Sequence, residues 1–368
     1  MNCSDLKSVN IGECVTSIGK EAFASCSNLT TVTIPNSVTN IEENAFRDCN
    51  SLTSLTINSP EIGSWFSKMT SIKELTIGDD VKEIGSSAFT GCSGLTSIVI
   101  GDNVTSIGSS AFSKCSGLTS LVISDKVISI GSNAFSQCSS LISITIPNGV
   151  EKIQGGTFQE CTSLTSLTFG NHLDYIGPKA FWGCSELKTA VIPDGVTTID
   201  KAAFMCSGIS YLSLPNSLLK IEEQAFDYCY DLLTVVSKIE KPFEIGRKNY
   251  DNPFWYITLE NGTLYVPLGL VGKYQATKGW NDFLNIMEDN SNGVENVILD
   301  TLQIQYNDGI LNIQGLDKES QVRVYNTNGI LIGSAISHNG YATIETKYHE
   351  RSVVIVKVGE KSYKMTIK

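Results

Sequence analysis

The run Gly94-Leu95-Thr96-Ser97-Ile98-Val99-Ile100-Gly101-Asp102-Asn103-Val104-Thr105-Ser106-Ile107-Gly108-Ser109-Ser110-Ala111-Phe112-Ser113-Lys114-Cys115 is followed by a near copy of itself from Gly117 to Cys138. Leu95, Ile98 and Ile100 are spaced L-x-x-L-x-L, and the last two alternate as in a half-buried strand. Four residues on, Val104 and Ile107 form a second apolar pair, reached through the turn-forming Gly101-Asp102. The run closes on Ala111-Phe112 and, three residues later, Cys115. One such unit cannot bury its own Leu, Val, Ile and Phe, so it reads as a coil that must stack on copies of itself.

The copies extend in both directions. Ala-Phe recurs at Ala22-Phe23, Ala45-Phe46, Ala88-Phe89, Ala134-Phe135, Ala180-Phe181, Ala203-Phe204 and Ala225-Phe226, with Trp65-Phe66 and Thr157-Phe158 filling the two gaps. The Phe-to-Phe spacing is 23 residues nearly everywhere, falling to 20 from Phe46 to Phe66 and to 22 from Phe204 to Phe226. That period lies within the 20 to 29 residues of leucine-rich repeats. The expected fold is therefore a leucine-rich-repeat solenoid, β-rich, with right-handed stacked turns of about 23 residues that share one continuous core.

The consensus C-S-x-L-T-S-I-T-I-P-x-x-V-T-S-I-G-x-x-A-F resembles the BspA-type leucine-rich repeats, related to treponemal repeats and found on bacterial surface proteins. The resemblance covers roughly residues 1 to 236, because the apolar spacing, Ile-Gly, Ala-Phe and the following Cys all recur in register. It implies a secreted or surface-displayed binding protein, with host extracellular-matrix proteins among its candidate partners.

Eleven Cys invite a disulfide or metal reading. Yet Cys26, Cys49, Cys92, Cys115, Cys138, Cys161, Cys184 and Cys229 each fall three residues after their Phe, Cys206 falls two after, and Met69 takes the place in the short turn. One thiol per turn makes a ladder along one edge, where a small hydrophobe with a weak S–H donor suits a tight corner. Free structural thiols are favoured over bridges, since parallel Cβ vectors fit disulfide geometry poorly, although an oxidising compartment would favour pairing. No C-x-x-C suggests zinc. Cys14 alone is out of register, a candidate reactive thiol whose expected place is buried.

The residues between the Leu positions are mostly hydroxyls, as in Thr30, Thr31 and Thr33 or Thr165, Ser166 and Thr168, and such a face offers no aromatic or Arg anchor. Departures from the repeat are the candidate partner-binding residues: Trp65, Lys73 and Glu74 in the shortened turn, His172, Tyr175 and Trp182 in one later turn, and Tyr211 among hydroxyls. Local packing around an irregular turn is the plainer account of the same residues.

No catalytic constellation is legible. The histidines are His172, His338 and His349, with no H-E-x-x-H, no G-x-S-x-G and no phosphate-cradling Gly-rich loop. No enzyme activity, cofactor or metal is expected. A net charge of −11, from 38 acidic and 27 basic side chains without a Lys/Arg block, argues against nucleic acid. No apolar run reaches the roughly 18 to 20 residues of a membrane span. Because Cys3 to Phe23 already lies in repeat register, an export signal is expected upstream.

After residue 236 the pattern changes to Lys241-Pro242-Phe243, Asn252-Pro253-Phe254-Trp255-Tyr256, Leu264-Tyr265-Val266-Pro267 and Gly279-Trp280-Asn281-Asp282-Phe283. An open solenoid end exposes its core, so residues 237–287 are expected to cap it, with Pro253-Phe254 standing in for a last Ala-Phe. The Leu-Tyr-Val-Pro and Gly-Trp segments are similar to the closing unit of BspA-like arrays. Glu288 to Gly293 suits a linker.

Residues 294–368 hold seven β-type runs, at Leu302 to Tyr306, Ile310 to Ile313, Val322 to Tyr325, Ile330 to Ser334, Tyr341 to Glu345, Val353 to Val358 and Tyr363 to Ile367. Turns at Asp308-Gly309, Asn328-Gly329 and Asn339-Gly340 punctuate them, so a small all-β, immunoglobulin-like sandwich is expected. Val322 to Leu331 resembles the C-terminal sorting domain of the Bacteroidetes type IX secretion pathway, with Ser352-Val353-Val354-Ile355 where that family usually has Gly-Val-Tyr-Phe. The functional expectation is a surface or secreted adhesion protein with a protein or glycan partner; the alternative is a passive spacer or surface-layer element without a specific ligand.

Overall fold

The computed structural model describes residues 3–246, 251–289, 297–299, 302–307, 310–314, 316, 320–326, 330–337, 341–346, 352–358 and 361–367. The chain forms two compact units, Met1–Glu288 and Asp289–Lys368. The first is a β-solenoid of about twelve turns. Most of the linker reading for Glu288 to Gly293 falls outside the described residues, as do the three Gly-containing turns and His338 and His349.

Each turn has three sides. The first carries the L-x-L strands, which pair in parallel and in register: Thr31–Ile34 with Ser54–Ile57, then Glu74–Ile77, then Ser97–Ile100. Register aligns Val32, Leu55, Leu75 and Ile98, so like side chains sit one above another in the core. The second side carries the short S-I strands, such as Glu61–Ile62, Glu83–Ile84, Ser106–Ile107 and Ser129–Ile130. In-register parallel stacking follows from the repeat itself, since each strand meets a copy of its own pattern.

The third side is the Ala-Phe corner, and its backbone is unusual. Ser110 and Lys114, two residues either side of Phe112, take left-handed φ values of 55° and 63°, and the same positions are left-handed around Phe135 at Asn133 and Gln137. A non-glycine residue there costs roughly 1 to 2 kcal/mol. The alternation turns alternate amides toward the next turn: Ser110, Phe112 and Lys114 donate to the carbonyls of Ser132, Ala134 and Ser136 at 2.9, 2.8 and 2.7 Å. These lateral bonds offset the strained conformation. Ile-Gly recurs for a different reason: a Cβ on Gly108 would sit 2.5 Å from the Ser86 backbone nitrogen, so neighbouring turns approach too closely there for any side chain.

Under this corner the phenyl rings stack. From Phe23 through Phe46, Phe66, Phe89, Phe112, Phe135, Phe158, Phe181, Phe204 and Phe226 to Phe254, successive centroids lie 5.0 to 6.2 Å apart. The rings from Phe66 to Phe226 are fully buried. Beside them, the buried thiols donate S–H to the phenylalanine carbonyl of the previous turn, as in Cys115 to Phe89 at 3.3 Å and Cys138 to Phe112 at 3.2 Å. All eleven Cys are free. In the turn where Cys206 comes one residue early, Ser207 holds the ladder place and lies 3.4 Å from Cys229 Sγ. Cys14, expected to be buried, is exposed, because it occupies the outward turn position that Ser37, Asn103 and Lys126 fill elsewhere.

Beyond Phe226 the stack continues onto Phe254, whose ring lies 5.2 Å away, while the Phe226 amide donates to the Pro253 carbonyl at 2.8 Å. Strands Thr263–Val266 and Asn285–Glu288 extend the first side by two further rungs. Trp280 and Tyr274 are fully buried over the last rings; the Trp280 indole N–H donates to the Phe243 carbonyl at 2.9 Å and the Tyr274 hydroxyl to that of Ile239 at 2.8 Å. Burying these large rings gives the last repeat the apolar cover that a further turn would otherwise supply.

The second unit has two four-stranded antiparallel sheets. One is ordered Val297–Leu299, Leu302–Asn307, Ile310–Gln314, Tyr341–Glu345, and the other Leu331–Ile336, Gln321–Asn326, Ser352–Val358, Lys361–Ile367. Ile304, Leu311, Ile313 and Ile344 of the first sheet share a core with Val322, Val324 and Val356 of the second. Eight strands are described where seven runs were expected; the extra one, Val297–Leu299, is three residues long, too short for an alternating pattern to declare itself.

Two outcomes test this architecture. Phe112→Ala opens a void in the middle of the ring stack and should lower stability by about 3 to 5 kcal/mol, read by urea denaturation; a loss under about 1 kcal/mol contradicts a shared core. Burial pushes the Cys92, Cys161 and Cys229 thiols from 9.0 up to about 12. Their native pKa is raised, so the stabilising effect is complete below pH 9.0 and drains away between there and about 12, as the unfolded chain ionises first. The urea midpoint should fall from about pH 8 to about pH 10, and in native protein only exposed Cys3 and Cys14 should react promptly with a thiol reagent.

Candidate binding surface

Among the described residues no group of three or more His, Cys, Asp or Glu comes together in a way that could hold a metal ion. No described helix is long and apolar enough to cross a membrane. What the solenoid offers is surface, and the three sides differ in what they present.

The first side is mostly small hydroxyls, with exceptions that the sequence reading passed over: Val99 and Val122 point outward in neighbouring turns at 59% and 82% exposure. Lys73 and Glu74 lie exposed at the start of a strand on this side, away from Trp65. Tyr211, expected to stand out among hydroxyls, is buried at 9% exposure, in a strand whose four residues are all buried. It offers no projecting ring.

His172, Tyr175 and Trp182 share a turn but do not converge. His172 is exposed between the first and second sides, its Nδ1 3.1 Å from the Asn148 carbonyl oxygen. Tyr175 lies half-buried in the second-side strand Tyr175–Ile176, and its hydroxyl donates to Asp200 Oδ2. Burial first, and then the Asp200 carboxylate, push its phenol up to about 12. Trp182 is half-buried on the corner side, one residue after Phe181. Trp65 is likewise half-buried at a corner, over a cavity of about 570 Å³ lined by residues of the turns of Phe46 and Phe66.

An aromatic cluster outside the ring stack was missed by the sequence reading. Tyr228, Tyr230, Trp255 and Tyr256 gather on the corner side of the last turns, with Tyr228 and Trp255 stacked at 4.3 Å, Tyr230 edge-on to Trp255 at 6.2 Å, and Tyr256 4.7 Å from Trp255. Tyr230 is 61% and Tyr256 42% exposed. The Trp255 indole N–H is buried with no acceptor among the described residues. The signal was present: Tyr228 and Tyr230 fill positions that other turns give to Lys114 and Ser116 or Gln137 and Ser139. Trp255 and Tyr256 fall in the stretch expected to cap the solenoid, whereas Tyr228 and Tyr230 lie in the repeats before it.

The repeat sequence fits one known pattern. The sequence profile of BspA type leucine rich repeat regions matches in six copies over residues 1–119, 61–188 and 106–233. The chain belongs to this BspA-type repeat family. No curated protein matches it. Among solved structures, a leucine-rich repeat protein from Bacteroides ovatus is 23% identical with a TM-score of 0.40, covering 62% of this chain and 86% of that one. A leucine rich cell surface protein from Faecalibacterium prausnitzii is 23% identical with a TM-score of 0.37, covering 76% and 84%. The pneumococcal vaccine antigen PcpA is 16% identical with a TM-score of 0.37, covering 75% and 85%.

The Tyr175–Asp200 pair gives a local check on the second side. Asp200→Asn removes the carboxylate that holds the phenol protonated, so Tyr175 should ionise at lower pH in a phenolate absorbance titration, and an unmoved titration would contradict the bond.

Proposed function

We propose that this protein is a secreted or surface-displayed, non-enzymatic binding protein of the adhesion type, which presents its solenoid to host or matrix macromolecules. The observation that carries the reading is the exposed cluster of Tyr228, Tyr230, Trp255 and Tyr256. Partner-binding energy concentrates in Tyr, Trp and Arg anchors, and tyrosine adds a hydroxyl to a large apolar face at little entropic cost. The regular hydroxyl-lined side supplies breadth, and weak contacts along it add up where a partner also repeats. Membership of the BspA-type family supports the surface setting.

In this proposal residues 1–236 are the repeats, 237–287 their cap and 294–368 an immunoglobulin-like sandwich of the sorting-domain type. Two antiparallel sheets around one core support the last assignment. Trp65, Lys73, Glu74, His172, Tyr175 and Trp182 remain secondary candidates, scattered over three sides.

Solid-phase binding to immobilised matrix proteins tests the reading. Wild type should bind at least one of them, and the double variant Tyr230→Ala, Tyr256→Ala should bind about tenfold or more weakly while unfolding at the same urea concentration. Absence of any binding by folded wild type would favour a passive spacer, and undiminished binding by the variant would remove the aromatic cluster from the account.

A further inference from the structure

Among the described repeats the corner ladder is wholly lost at one junction, between the turns of Phe46 and Phe66, and the next keeps only the Lys68 amide bond to the Thr90 carbonyl at 2.7 Å. In the turn of Phe89 the amides of Ser87, Phe89 and Gly91 donate to the carbonyls of Ser109, Ala111 and Ser113 at 2.9, 2.8 and 2.7 Å, and the turn of Phe23 keeps the same three bonds to Glu43, Ala45 and Arg47. In the turn of Phe46 the equivalent donors are Asn44, Phe46 and Asp48, and among the described residues nothing accepts from them. The second side is interrupted at the same level: Asn40–Ile41 pairs with Ser17–Ile18 but not with Glu61–Ile62. The first side runs through unbroken.

The sequence of the shortened turn explains the gap. Ile41 precedes Phe46 by five residues but Ile62 precedes Phe66 by four, so the left-handed residue before the ring has no place, and Ser64 is not left-handed. The alanine before each ring is sealed in, with Ala45, Ala88 and Ala111 at 3%, 0% and 0% exposure. An indole cannot enter that space. Trp65 is turned outward over Gly63, where even a Cβ would come within 2.5 Å of its Nε1. The Phe46 and Phe66 rings tilt by 30°, against 4 to 14° for the regular pairs from Phe89 to Phe254. The solenoid is held shut on one side and open on the other, and the opening is the cavity of about 570 Å³.

The walls identify what fits. Asn44 and Asp48 have left-handed φ of 60° and 59°, the alternation that elsewhere aims amides at the following turn; here those amides face the gap. Glu42, Glu43 and Asp48 line it against Arg47 and Lys68. Arg47 is shared between Glu21 and Asp48 at 3.3 Å each, so the lining does not favour an anion. Glu42, Glu43 and Asp48 are likewise engaged, by the Lys20 amide, Lys20 and Arg47, so the unmatched groups are the amides; with one broad indole face they make a complement for a ring that carries hydroxyl oxygens on its rim and C–H bonds on its faces. The volume is that of a small-molecule pocket.

We propose that the gap beside Trp65 is a binding site for an uncharged sugar, a hexose unit of a neutral glycan that stacks on the indole and accepts hydrogen bonds from the Asn44, Phe46 and Asp48 amides. The site does not depend on the aromatic cluster of the last turns. Its test is the full chain applied to arrayed neutral hexose and N-acetylhexosamine oligosaccharides beside sialylated and sulfated ones. Neutral glycans should be retained, and calorimetry with the best of them should show about tenfold weaker binding for Trp65→Ala and no change for Val122→Thr on the first side. Trp65→Ala installs the residue that neighbouring corners already use. Glu43→Gln, with amide resonances of Asn44, Phe46 and Asp48 followed during sugar titration, provides a second readout if that variant unfolds. Retention of acidic glycans only, retention of none, or unmoved amide resonances would overturn the proposal.

Discussion

The solenoid depends on a lateral hydrogen-bond ladder that nearly every turn completes with its neighbour. On two sides it is ordinary parallel strand pairing. On the third it is a backbone of alternating hand, which places residues such as Ser110 and Lys114 in the left-handed region and is worth its strain only because Ser132, Ala134 and Ser136 receive the amides it presents. No turn can hold that corner alone. Its stability is therefore a property of pairs of turns.

The side chains inside the corner obey the same constraint. Only a small residue fits before the ring, which is why alanine recurs there. The ring then meets a ring in the next turn, and the thiol three residues on reaches back to the carbonyl of the previous phenylalanine. Ser207 takes the place where Cys206 comes early and meets Cys229 Sγ instead, so the corner accommodates a small hydroxyl as well as a thiol. This accounts for a ladder of thiols without bridges, since the sulfurs of Cys92, Cys115, Cys138, Cys161, Cys184 and Cys229 each reach a carbonyl and burial keeps them protonated.

Function is then expected where the ladder is spent or broken. At the end of the stack, aromatic residues that no further turn covers stand exposed around Trp255. At the shortened turn, three amides of the preceding turn find no acceptors and an indole is expelled from a space meant for alanine. Both follow from the same rule, because a surface built wholly of satisfied small residues has little with which to hold a partner.

Much of this was legible in the residues. Phe112, Cys115, the Leu-Ile alternation and the 23-residue period determined the stacked coil, its core and the thiol ladder, because a repeating chain meets its own pattern and leaves few ways to pair. Trp65 announced an irregular turn. What the turn does was decided only in three dimensions: the missing acceptors of Asn44, Phe46 and Asp48 belong to residues some twenty positions away, and no local pattern records a hydrogen bond that fails to form. Likewise Tyr211 reads as exposed by its place in the strand yet is covered, while Tyr230 and Tyr256, 26 positions apart, become neighbours of one indole. Periodicity fixes which residues stack, but burial and unmet valence depend on what the rest of the chain brings against them.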